Sequence, residues 1–181
     1  LDKAIAGDTD PRTPATDARD KITELRKLFF SVIEHLQQLI RDQGETRDQT
    51  STAHGLDPLS REPKLPGLID RQTGHGELAQ ALIDALAAQA DQAAQAPPQA
   101  QAAGPDAKAL SAAAGEVRLA HGAMGDANLT LAKARDSQTT SESLEPALDG
   151  QQRAITHLEA ALRHLQPPPE QQQDQQQQDQ Q

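Results

Sequence analysis

Three glutamines stand where an apolar residue is expected: Gln43, Gln72 and Gln151. Each falls on a seam of otherwise apolar residues spaced alternately three and four apart, and His75 follows Gln72 on the same seam. A buried amide carries two N–H donors and a carbonyl acceptor, and leaving one unpaired costs about 1–3 kcal/mol. Such residues either pair with one another, as a polar layer that fixes the register of packed helices, or face a partner or ligand. Gln43 lies about two turns before the end of its helical segment and Gln72 about two turns into the next. An antiparallel hairpin therefore brings them to one height. Gln151 belongs near the same end, about opposite Leu131. If the layer serves register alone, Gln72→Leu is expected to keep or raise the melting temperature while loosening the uniqueness of packing.

Other chemistry is thinly represented. Six histidines stand at 35, 54, 75, 121, 157 and 164, with no pair four apart and no His-Glu-x-x-His. His157 and His164 are two turns apart and share a face, but lack a third ligand, so solvated or rim positions are the reading. The absence of cysteine excludes disulfides and thiolate metal sites. There is no Ser/His/Asp order, no Gly-rich phosphate loop and no Glu/Glu-x-x-His set of a di-iron bundle. No catalytic, cofactor-binding or metal residue is assigned, and the chain reads as non-enzymatic.

The elements that position these residues follow from hydrophobic spacing. Ile22, Leu25, Phe29, Val32, Leu36 and Leu39 keep the three–four rhythm of a packed helical seam, which Gln43, Thr46 and Thr50 continue. Of the Phe29-Phe30 pair, the second ring is expected to be covered by a neighbouring helix. A second seam runs Leu68, Gln72, His75, Ala79, Leu82, Leu86, Gln89, Ala93. A third alternates large and small residues: Leu110, Ala113, Val117, Ala120, Met124, Ala127, Leu131, Ala134. The fourth is Leu144, Leu148, Gln151, Ile155, Leu158, Leu162, Leu165. The expected fold is all-α, an antiparallel up-down-up-down four-helix bundle over 17–166 with coiled-coil-like seams. Its helices span about 18–50, 66–96, 105–138 and 144–166. Residues 1–16 read as a disordered linker, 51–64 as a turn-rich connection and 167–181 as a disordered Pro/Gln tail.

Composition bounds the energetics. Leu, Ile, Val and Phe make up just under a fifth of the 181 residues, and Ala alone supplies 31. Such a core gains little per residue but lets helices approach closely. The formal net charge of -10 argues against a nucleic-acid partner, whose phosphates demand clustered Lys and Arg. No apolar run of about 18 residues exists to span a bilayer, which leaves an anchor outside this stretch open.

Several local runs resemble one bacterial group. They are Leu25-Arg26-Lys27-Leu28-Phe29-Phe30-Ser31-Val32-Ile33-Glu34-His35-Leu36, then Arg41-Asp42-Gln43 and Arg47-Asp48-Gln49-Thr50, and Arg71-Gln72. Ala120, Met124 and Ala127 belong with them, as does Gln152-Arg153-Ala154-Ile155-Thr156-His157-Leu158-Glu159-Ala160-Ala161-Leu162. The group comprises large uncharacterised envelope proteins with Gln-rich helical regions, found beside MoxR-type ATPases and von Willebrand factor A-domain proteins in aerotolerance-type (Bat-like) clusters. The resemblance implies a membrane-anchored protein whose helical region lies outside the cytoplasm, in the periplasm or on the envelope, with no assigned activity. Residue chemistry by itself leaves the cytoplasm open. The expected function is a scaffold or protein–protein interaction module, with a protein partner and no cofactor. A periplasmic ligand-sensing bundle and an oligomer-forming surface antigen, dimerising through the same helices, are the alternatives.

Overall fold

A computed structural model describes the backbone of residues 12–95, 105–136 and 143–166, and the side chains of those spans from Ser31 onward. Four long helices fill it: α1 (Arg12–His54), α2 (Leu65–Gln95), α3 (Ala107–Asp136) and α4 (Glu145–Leu165). Among the described residues there is no strand. Each helix packs against its neighbours in the chain, and α4 closes the ring against α1. Cross-helix bonds run in opposite senses. Thr46 meets His75 and Arg71 meets Gln49 between α1 and α2, while Asp126 meets Arg153 and Glu116 meets His157 between α3 and α4. The bundle is therefore antiparallel, up-down-up-down.

Prolines set helix boundaries differently from the expectation. Residues 12–16, read as linker, belong to α1. Pro14 falls in its first turn, where backbone N–H groups have no intrahelical acceptor and proline loses nothing. The connection after α1 is also largely helical: Pro58–Arg61 forms one α-turn and Glu62–Lys64 a 3-10 turn. Asp57 caps the first by accepting the Ser60 N–H at 3.2 Å, and Pro58 and Pro63 each sit at a helix start. Asp106 likewise accepts the Ala109 N–H at 2.7 Å as α3 begins. The disorder expected for 1–11 and 167–181 lies outside the described residues, as do the side chains of Phe29 and Phe30.

Two apolar clusters make up the core. The larger joins Val32, Leu36 and Leu39 to Leu82, Leu86, Val117, Met124, Leu158 and Leu165, with Ala residues between them. The smaller, at the end where α1 turns into α2, holds Ala53, Leu65, Leu68, Ala127, Leu131, Leu144 and Ala147. On α3 the large–small seam from Leu110 to Leu131 is buried throughout. Elsewhere the seams drift, because 3.6 residues per turn does not match a 3.5 repeat. On α2, Ile83 and Ala90 are buried while Gln89 and Ala93 are half-buried. On α4, Ala147, Gly150, Ala154 and Ala161 are buried where Leu148, Ile155 and Leu162 are half-buried. The small-residue side of α4 thus turns inward. A Cβ on Gly150 would stand 3.0 Å from the Ala123 carbonyl oxygen and 3.2 Å from the Ala127 Cβ and backbone nitrogen.

The helices are unequal. α1 has 43 residues, whereas α4 has 21. Thr50 bonds Gln151 across the pair, and Leu165 lies as far beyond Gln151 as Leu36 lies before Thr50. α4 therefore ends level with Leu36. Counting in the same way from Thr46 and His75 puts Gln95, at the end of α2, level with residue 26. Residues 12–25 of α1, about 20 Å of helix, extend past the described ends of the other three.

Gly150→Ala is expected to lower stability by about 1–2 kcal/mol, the overpacking cost outweighing roughly 1 kcal/mol of gained helix propensity. Gly44 and Gly125 have nothing within 4 Å of an added Cβ, so alanine there should raise stability by up to about 1 kcal/mol each. Urea unfolding of the three variants checks the contrast in sign.

Candidate functional site

Between the two apolar clusters the core turns polar. Gln43 and Gln151 are 0% exposed, Gln72 is 1% exposed, and Thr46 and Thr50 are equally buried. The structure brings all three glutamines together. Gln43 and Gln72 exchange a reciprocal pair of amide bonds, Nε2 of each donating to Oε1 of the other at 3.2 Å. Gln151 donates from Nε2 both to Gln72 Oε1 at 3.0 Å and to Thr50 Oγ1 at 3.1 Å. Gln72 Oε1 therefore takes bonds from α1 and α4, and its own helix contributes the hub of a three-helix junction.

Proton bookkeeping fixes the direction of these bonds. The Thr50 hydroxyl gives its one proton to the Thr46 carbonyl at 2.9 Å, so it can only accept from Gln151. Both oxygens facing Gln151 are acceptors, which requires its nitrogen to point at them. The Gln151 Oε1 is then left buried without a partner. A parallel case stands at the edge of the layer. The Asn128 amide nitrogen donates to Thr73 Oγ1 at 3.1 Å, and the Thr73 hydroxyl is spent on the Ile69 carbonyl at 2.9 Å. The Asn128 Oδ1 is likewise buried and unpartnered.

His75 is half-buried and meets the layer through a threonine, without touching a glutamine. Its Nε2 stands 2.9 Å from Thr46 Oγ1. The Thr46 hydroxyl donates to the Asp42 carbonyl at 2.9 Å, so the ring donates from a protonated Nε2. Burial pushes the His75 pKa below its ordinary 6.5, against the opposing pull of Asp42 and with the help of Arg71. Arg71 itself bonds Gln49.

Gln151 does not face Leu131, as the hairpin count had suggested. Gly150 beside it packs on Ala123 and Ala127, and Leu131 lies in the smaller cluster with Leu144. The start of α4 packs beside the end of α3, which places Gln151 about two turns further back. Thr46 and Thr50 were visible as seam positions. Thr73 and Asn128 were not, because each lies one place off its seam.

Two open grooves flank the layer. One, about 470 Å³, lies between α2 and α3 and is lined by Gln72, Thr73, Gly76, His121, Met124 and Asn128 among others. The other, about 450 Å³, lies at the first hairpin among Gln49, Thr52, Pro63, Lys64, Gly67 and Arg71. Among the described residues no three His, Asp or Glu side chains are grouped to hold a metal ion. His157 pairs with Glu116 at 2.8 Å on the α3–α4 surface. The layer itself is made of amides and hydroxyls, neutral groups that align helices through directional bonds and do not ionise at ordinary pH.

The geometry changes what Gln72→Leu should do. Removing the hub strands the Gln43 amide and one Gln151 donor in the core, so the single variant should lose about 2–4 kcal/mol. Gln43→Leu, Gln72→Leu and Gln151→Leu combined should recover most of that loss, because no buried amide is then left over. Thermal unfolding of both variants tests this. A second expectation concerns pH. With the folded His75 pKa lowered, the unfolded chain takes up a proton below pH 6.5 that the folded chain does not. The stability present above 6.5 is then lost as pH falls through the lowered folded value. Melting temperatures at pH 7.5 and 5.5 should show a larger drop for the unmodified chain than for His75→Gln, whose amide can still donate to Thr46. Comparison with protein-family models, curated proteins and solved structures returned no match to this chain.

Proposed function

We propose that the chain is a non-enzymatic helical scaffold, a protein–protein interaction module belonging to a bacterial envelope protein. The observation that supports this best is the unequal length of the helices. A bundle held in register by its polar layer carries α1, the longest of the four helices, outward past the end of α4. An amphipathic helix projecting from a rigid base is a form in which one helix is recognised by another. The resemblance to the Gln-rich helical regions of envelope proteins adds the location outside the cytoplasm. Among the described residues no helix is long and apolar enough to cross a membrane.

A ligand-sensing bundle is the second reading, favoured by the groove between α2 and α3 that reaches the buried Gln72. A thermal-shift screen against small metabolites separates the two: the scaffold reading predicts no shift.

The direct test places a photo-crosslinking amino acid at residue 19 on the projecting part of α1, and at residue 84 on the exposed side of α2 as control. In cells, position 19 should give discrete crosslinks to another protein and position 84 none. Equal yields, or none from either, would remove the proposal's support.

A further inference from the structure

The outward side of α3 carries two of the three large apolar side chains left exposed among the described residues, Leu119 at 55% and Leu129 at 63%. They share one stripe with Gly115, Gly122 and Asp126, since the steps from 115 to 129 are four, three, four and three residues. Space above the stripe is open: a Cβ added at Gly115 or Gly122 would meet nothing within 4 Å. Glycine weakens a helix relative to alanine, and no contact among the described residues calls for either one. We propose that this face pairs with its own copy, α3 against α3, in an antiparallel homodimer whose two-fold axis passes beside Gly122. The inference goes beyond recognition of another protein by α1 and does not depend on it.

A two-fold contact uses the same patch on both copies, so the patch must be complementary to itself. Gly122 sits near the middle of the 30-residue helix, and an axis there overlaps the two helices along their whole length. Each residue then faces the one equally far on the other side of Gly122. Leu129 falls on Gly115 of the other copy, and Leu119 falls beside its Gly122, so each large side chain meets a position with room for it. Glycines seven apart on the contact line also let the two backbones approach closely.

The charges match under the same operation. Arg118 and Asp126 lie four residues either side of Gly122, so each faces the other across the axis, twice per dimer. Arg118 is exposed and forms no ion pair among the described residues, while Asp126 holds Arg153 at 3.2 Å with a carboxylate able to accept a second cation. Exposed Lys108 and Asp136, at the two ends of the helix, face each other in the same way. Other arrangements lose this. A parallel pair sets Arg118 against Arg118. Moving the axis half a heptad toward the end of α3 sets Arg118 against Lys133, and the same move toward the start leaves it facing Leu119. Self-matching of both size and charge in one register points to a second copy as the occupant.

The chain has no cysteine, so a single introduced thiol reports the pairing. With oxidised glutathione, Gly122→Cys should give a disulfide-linked dimer. Lys133→Cys on the same face should not, because the axis sets its two copies about 33 Å apart along the helix. Sedimentation equilibrium of the unmodified chain should show monomer and dimer exchanging on the order of 10 μM, as suits an interface confined to one helix. Arg118→Asp and Asp126→Arg should each weaken the dimer at least about tenfold, and the two variants mixed should recover it, since each supplies the charge that the other lacks. Gly115→Ala with Gly122→Ala should weaken the dimer too, yet raise the melting temperature of the dilute monomer.

A chain that stays monomeric at about 1 mM overturns the inference. So do oligomers that grow beyond the dimer, equal cross-linking at 122 and 133, or charge variants that fail to recover on mixing. Gly122→Cys joined in cells to another protein and not to its own copy would overturn it as well. Crosslinks from residue 19 would be untouched by any of these results, so the interaction-module reading stands or falls separately.

Discussion

The Gln72 carbonyl oxygen accepts two amide bonds inside the core, one from Gln43 on α1 and one from Gln151 on α4. Apolar contacts in this molecule are forgiving, because a seam of Leu and Ala packs nearly as well after a slide of one turn. The amides do not forgive such a slide. Moving α4 by a turn would carry Gln151 to where Ala147 or Ala154 packs among apolar neighbours and strand its donors, at about 1–3 kcal/mol for each unpaired group. The layer thus converts a permissive bundle into one register. It does so at some expense, since the Gln151 carbonyl oxygen remains unpaired.

Everything on either side of the layer is built for close approach rather than bulk. Ala supplies many of the fully buried positions on α3 and α4, and Gly150 lets the α4 backbone come within contact distance of α3. Small side chains bury little area each, about 25 cal/mol per Å², so the number of contacts must compensate for their size. Close packing also makes the α3–α4 pair sensitive to a single methyl group, while open positions such as Gly44 tolerate one. Surface ion pairs, such as Arg153 with Asp126 at 3.2 Å, add little in water.

Much of this was legible in the spacing of residues. The three–four rhythm of Val32, Leu36, Leu39, Gln43, Thr46 and Thr50 continues unbroken into the structure, and all six are buried. The height match of Gln43 and Gln72 followed from their distances to a common turn. What spacing could not give was rotation. On α4, Ile155 and Leu162 looked like core by size, but the close approach at Gly150 turned Ala154 and Ala161 inward instead. Nor could it give the acceptor count at Gln151, which depends on where Thr50 spends its hydroxyl proton. Pro14, Pro58 and Pro63 looked like breakers because their position within a first turn is visible only once the helix start is known.

The functional reading depends on the same constraint. A projecting α1 points in a fixed direction only if the bundle beneath it has a single register. NMR of the side-chain amides examines that register most directly. The Gln43, Gln72 and Gln151 amide protons should exchange slowly with water, with nuclear Overhauser contacts from Gln72 to both other glutamines. Fast exchange at the rate of surface glutamines, or the absence of contacts between Gln72 and Gln151, would contradict it.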